Sequence, residues 1–118
     1  MKYVVVLLFL FAFTACIASP VLDLTLTAPG GNITGLGYGE GYLWAVDKTT
    51  KTIYKLNPAN GYVENSWVCT QVGTRIPTGL AYLNGYVYIC AGSSTGTGAY
   101  GYRYNSSGSY ISSFSMDC

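Results

Sequence analysis

Residues 34–47 read "TGLGYGEGYLWAVD" and residues 78–91 read "TGLAYLNGYVYICA", so Thr, Gly, Leu, Tyr, Gly and Tyr return at matching places. The offset of about 44 residues is the period of one supersecondary unit stacked on another. Helical solenoids have similar periods, but a 3.6-residue apolar rhythm is absent and the Gly, Thr, Tyr and Val content disfavours helix. Four strand-length runs fill each copy: "ITGLGY", "YLWAV", "TIYKL" and "YVENSWV" in the first, "PTGLAY", "YVYICA", "AYGYRY" and "SYISSFS" in the second. Gly or polar turns separate them, which predicts two four-stranded antiparallel units. The second runs, "YLWAV" and "YVYIC", are apolar on both faces, as strands sandwiched between neighbouring sheets must be. "YVENSWV" mixes polar and apolar residues, as an outermost strand near solvent does.

The stretches "ITGLGYGEGYLWAVDKTTKTIYKLNPANGYV" and "PTGLAYLNGYVYIC" resemble blades of the bacterial and archaeal β-propellers with NHL-like or gluconolactonase-like repeats. The resemblance covers nearly all of residues 20–118 and implies an all-β fold of two propeller blades, one at about 33–69 and one at about 77–118. It also implies that "VLDLTLTAP", residues 21–29, supplies an outer strand at 21–28, the kind of overlap that closes propeller rings. Such blades serve lactonases, lyases, cyclotransferases and pure binding scaffolds, so the resemblance speaks to fold and not to activity. A ring takes four to eight blades, and two blades alone leave two apolar faces uncovered. Identical chains closing a ring together, for example three chains with six blades, would cover those faces. Further blades of a longer propeller would do so equally.

The opening "MKYVVVLLFLFAFTACIAS" has a charged Lys2, an apolar run from Tyr3 to Ala15 and a small-residue close, the pattern of a signal peptide over residues 1–18. That run falls short of the about 20 residues a membrane helix needs. Cys16 ends "FTAC", a loose lipoprotein box, and is the candidate lipidation site; a membrane partner is expected only in that case. Export to an oxidising compartment makes the cysteines informative. Cys69, Cys90 and Cys118 lie beyond the signal, an odd number that allows at most one internal bridge and leaves the pairing open. Over all 118 residues, six Lys and Arg stand against five Asp and Glu, which gives no basic footprint for nucleic acid.

With no histidine in the chain, Ser-His-Asp and Cys-His nucleophile systems and most zinc sites are excluded. The nearest carboxylate pair is Glu40 and Asp47, for which a solvated turn acid and a strand-end acid beside Lys48 is the plainer reading. Propellers of the lactonase kind hold a metal with acidic and Asn side chains from several blades. Glu40, Asp47 and Asn84 lie near strand ends, but Ala91 replaces Asp47 in the second copy, and no metal or other cofactor is expected. Gly35, Gly37, Gly39 and Gly41 do not spell a nucleotide loop and read as turns and close strand packing. Trp44 and Trp67 are the candidates for stacking on a sugar, although their counterparts Tyr88 and Phe114 favour core roles. Asn32 in "NIT" and Asn105 in "NSS" match the glycosylation pattern at turns. The expected protein is a secreted, non-catalytic blade module for binding or assembly with an unidentified ligand or protein. The alternatives are the front of a lactonase- or lyase-type propeller and a sugar-binding ring of identical chains.

Overall fold

A computed structural model describes residues 24–93, 95–96 and 98–116. The signal-peptide and lipidation expectations at residues 1–18, and Cys118, lie outside the described residues. Eight strands follow in chain order: β1 (Ile33–Gly39), β2 (Tyr42–Asp47), β3 (Thr52–Leu56), β4 (Val63–Val68), β5 (Ile76–Leu83), β6 (Tyr86–Gly92), β7 (Ala99–Asn105) and β8 (Tyr110–Met116). They form two antiparallel sheets ordered β1-β2-β3-β4 and β5-β6-β7-β8, so each strand pairs with its sequence neighbour. These are blade one and blade two.

Local chemistry accounts for the meander. The β1–β2 turn places Glu40 and Gly41 at φ of 55° and 78°, and the β5–β6 turn places Asn84 and Gly85 at 49° and 85°. Positive φ at both central residues is what a two-residue hairpin needs to match strand twist. Thr34 and Thr78 sit at matching irregularities of β1 and β5, where the register shifts between Ile33 and Gly35 and between Pro77 and Gly79. The repetition in sequence is therefore a repetition of backbone shape, bulge included.

Between the sheets lies one core. Blade one contributes Trp44, Val46 and Ile53, blade two contributes Val87, Ile89, Ala91, Tyr102 and Tyr104, and the connection adds Cys69 and Val72. Each aliphatic side chain fully removed from water there stabilises by about 1.5–3 kcal/mol. The connection is a single turn of 3-10 helix, Thr70–Val72, tied to blade two by the Tyr104 hydroxyl donating to Gln71 Oε1 at 2.9 Å.

Closest approach occurs between β1 and β5, and there the glycines matter. A Cβ on Gly35 would stand 2.6 Å from the Leu80 backbone nitrogen, one on Gly37 2.8 Å from Leu80 Cδ2, and one on Gly39 1.8 Å from Tyr82 Cδ1. The expected packing role of this alternate-glycine stripe is what the structure shows: Leu80 and Tyr82 occupy the room that missing side chains leave. Trp44 then stacks on Tyr82 at 5.5 Å between centroids and meets Trp67 edge-on at 6.1 Å.

The outer strand expected at residues 21–28 is corrected for its described part: residues 24–28 form no strand. Both sheets already hold four strands, so neither has a vacant fourth position within the chain. Leu24, Leu26, Thr27, Ala28 and Pro29 instead lie over blade one, lining a recess of about 350 Å³ with Leu43, Ala45 and Leu56.

Gly39→Val places a branched side chain against the Tyr82 ring, and overpacking of this kind costs about 1–3 kcal/mol. Gly31→Ala, with nothing near its added Cβ, is expected to change stability by less than about 0.5 kcal/mol. Urea denaturation of both variants checks the contrast, and equal midpoints would contradict the close approach.

Candidate functional site

Side chains alternate across a strand, so each blade has one face in the shared core and one turned away from it. On blade one the outward face carries Leu36 and Tyr38, which are 63% and 65% exposed. Residues 24–29 lie over its β2–β3 half and form one recess with Ile33 and Leu36 of β1, while Leu36 and Tyr38 stay exposed. On blade two the outward face carries Gly79, Ala81, Tyr88, Cys90, Gly101 and Phe114, which line an open recess of about 220 Å³. Phe114 is 46% exposed, and its ring lies over the Gly101 backbone. Leu83 and Ile111 add exposed apolar surface in the same sheet. These faces are the candidate interaction surfaces of the molecule.

Strand register shows that each open face repeats the covered face of the other blade. In blade one's core-facing surface, Trp44 pairs with Lys55 and Val46 with Ile53, which pairs in turn with Trp67. On the open face of blade two, Tyr88 pairs with Arg103 and Cys90 with Gly101, which pairs with Phe114. Even the cation–π contact recurs: Lys55 Nζ lies 4.1 Å from the Tyr42 ring centroid, and Arg103 Cζ lies 4.7 Å from that of Tyr86. Conversely, Leu36 and Tyr38 are the register counterparts of Leu80 and Tyr82, the residues seated on the β1 glycines.

Sites proposed from sequence fall elsewhere. Trp44 has no exposure, and its indole Nε1 donates to the Gly39 carbonyl at 3.1 Å, so neither ring face is open to a sugar. Trp67 is partly buried against the same core, with Gly108 of the β7–β8 turn lying on its ring. Glu40 lies in the β1–β2 turn and Asp47 ends β2, with residues 41–46 between them, or roughly 20 Å along the strand. They do not form a carboxylate pair. Asn84 shares the Glu40 end, and no group of three or more His, Cys, Asp or Glu residues with metal-site geometry occurs among the described residues.

Asp47 serves the backbone. At 2% exposure it accepts hydrogen bonds from the Thr49 and Thr50 amides at 2.8 and 2.9 Å and from the Asn32 amide at 3.2 Å. The Thr50 amide is the largest influence holding this carboxyl below its ordinary value; burial pushes the other way, and the Thr49 and Asn32 amides reinforce Thr50. One side chain thus closes the β2–β3 turn and fastens the segment that enters β1. The two sequon asparagines differ as well. Asn32 is exposed, whereas Asn105 is half-buried and its Oδ1 accepts from the amides of Ser107 and Ser109, organising the β7–β8 turn.

Cys69 and Cys90 are not bonded to each other. Cys69 is fully buried, and that burial pushes its thiol up to about 11, which removes it from thiolate chemistry at neutral pH. Cys90 lies on the open face of blade two. No helix among the described residues is long and apolar enough to cross a membrane. Neither the protein-family models nor the curated proteins contain a match to the chain.

Asp47→Asn is expected to cost about 1–3 kcal/mol at pH 7, because an amide nitrogen would face backbone donors. Since the folded carboxyl titrates below its unfolded value of about 3.9, its contribution is complete above that pH and fades as pH falls through the folded value. The stability difference between wild type and Asp47→Asn should therefore narrow in acid. Urea denaturation between pH 7 and pH 2 measures it, and a constant difference would contradict the role given to the carboxylate.

Proposed function

We propose that the chain is a non-catalytic β-propeller module, exported from the cell, that works by joining its open blade faces to other blade-like sheets. The observation that carries this reading is the pair of apolar outward faces, each patterned like a surface the molecule already buries. Exposed apolar area of this extent is the signature of an interaction surface. In repeat proteins each unit contacts only its neighbours, so the terminal units need a cover. The resemblance to NHL-like blades supports the same reading, since such blades are stable inside rings. Additional blades of a longer propeller would engage the same two faces, and that arrangement is the second reading.

An environment-sensitive apolar dye tests whether the faces are binding surfaces. The dispersed chain should bind the dye while retaining a cooperative thermal transition, and binding should fall with Leu36→Lys or Phe114→Ser. A folded chain that stays at the mass of one chain and leaves the dye in water, with or without those substitutions, would overturn the proposal.

A further inference from the structure

We infer that the partner of each open face is a second copy of this chain, docked head to tail, so that blade one of the incoming copy covers blade two of the first. The inference rests on the reading that the open faces bind blade-like sheets, and it adds the identity and polarity of the partner.

The covered interface sets the pattern. Blade one offers it a floor: Gly35, Gly37 and Gly39 on β1, then Tyr42, Trp44 and Val46 on β2. Blade two offers the ridge that fills it: Leu80 and Tyr82 on β5, then Val87 and Ile89 on β6. Because both sheets carry the same register, the open faces hold the same two halves in exchanged positions. The floor recurs on blade two as Gly79, Ala81, Tyr86, Tyr88 and Cys90, with Arg103 over Tyr86 as Lys55 lies over Tyr42. The open part of the ridge recurs on blade one as Leu36 and Tyr38, while Leu43 and Ala45, which continue it in register, lie beneath residues 24–29.

A ridge fits a floor. Two floors brought together leave a gap, and two ridges collide, so a twofold contact of a face with itself lacks the complementarity that the head-to-tail contact inherits. The cover over blade one agrees with this. Residues 24–29 cover Leu43, Ala45 and Leu56 and reach the flank of Leu36, yet Leu36 and Tyr38 stay largely exposed, and the covered interface makes its closest approach through the counterparts of those two residues. Thr34 adds a polar tie inside the molecule, its hydroxyl donating to the Pro77 carbonyl at 2.9 Å. Its counterpart Thr78 reaches only its own sheet, at 3.4 Å from the Cys90 carbonyl.

The two junctions are related but not identical. Ala81 stands where blade one has Gly37, and Leu83 stands where it has Gly39. The Gly39 site admits no side chain beneath a tyrosine ring, whereas the Gly37 site is bounded by the flexible tip of Leu80. An incoming Leu36 is therefore accommodated over Gly79 and Ala81, while Leu83 holds the incoming Tyr38 further out. The junction between copies opens at its β5–β6 turn end. Head-to-tail contacts close into a ring or continue as an open chain according to this angle.

Light scattering of the full chain after size exclusion, with Tyr38→Arg and Ala81→Arg as variants at two exposed positions, tests the inference. Circular dichroism first establishes that both variants retain the wild-type fold; if either loses it, Leu36→Lys or Tyr88→Lys takes its place. Wild type should run as a multiple of the chain mass, and each variant alone should fall to the mass of one chain. Mixing the two variants should restore a 1:1 pair and nothing longer, because each supplies the face the other lacks. A single variant that keeps the wild-type mass, or a mixture that stays at the mass of one chain, would overturn head-to-tail docking. Wild type that stays monomeric at every concentration yet binds the apolar dye would exclude a second copy while leaving the blade-face reading intact. Monomer without dye binding would remove both.

Discussion

The structure depends on the approach of β5 to β1 across a stripe without side chains. Gly35, Gly37 and Gly39 lie on the core-facing side of β1, and the Leu80 and Tyr82 side chains fill the space above them. This contact lets two twisted four-stranded sheets meet near their inner edge, and it places Tyr82 flat against Trp44. From that pair outward the core is an aromatic chain: Trp44 meets Trp67, Trp67 meets Tyr104, and Tyr104 meets Tyr110. Aromatic pairs of this kind contribute about 0.5–1.5 kcal/mol beyond the area they bury. The arrangement is cooperative in a simple sense, since a side chain at Gly35 would meet the Leu80 backbone and one at Gly39 the Tyr82 ring, and either separates the sheets that enclose every other member.

The same economy explains why the molecule has unfinished faces. A sheet with the blade pattern has a floor side and a ridge side, and one junction uses one of each. Two blades therefore leave one floor and one ridge free, whatever the quality of the core between them. The segment at residues 24–29 softens this on blade one by lying against Leu43, Ala45 and Leu56. Blade two has Phe114 folded over Gly101, which reduces but does not remove its exposed apolar surface. The polar side chains of Asp47 and Asn105 serve turns, accepting hydrogen bonds from the amides that follow them.

Much of this was legible in the sequence because it is periodic. All eight strands were expected within a residue or two of their observed ends, and the correspondence of Trp44 with Tyr88 and of Trp67 with Phe114 appears in the register. The packing use of the alternate glycines was also expected, from their departure from any nucleotide-loop spacing. Asp47 is legible in the sequence as a strand-end acid beside Lys48, but only the fold shows three backbone amides converging on it. The outer strand expected near residues 21–28 followed from ring closure in the resembled propellers, a property of an assembly rather than of the segment. Its described residues are apolar enough to cover a sheet face, and pairing at an edge requires a vacancy that the chain does not contain. The exchange of floor and ridge between open faces was invisible for a related reason. Alternation along one strand tells which residues share a face, but not which face meets the neighbouring blade.

Proton NMR of the full chain reads the joint between the blades at the contact of Gly39 with the Tyr82 ring. Nuclear Overhauser effects should connect the Gly39 α-protons to the Tyr82 ring protons, with the α-protons displaced upfield by the ring current. Intact cross-strand contacts within each sheet, without any contact between Gly39 and Tyr82, would contradict that joint: the blades would exist, but they would not be joined through the glycine stripe.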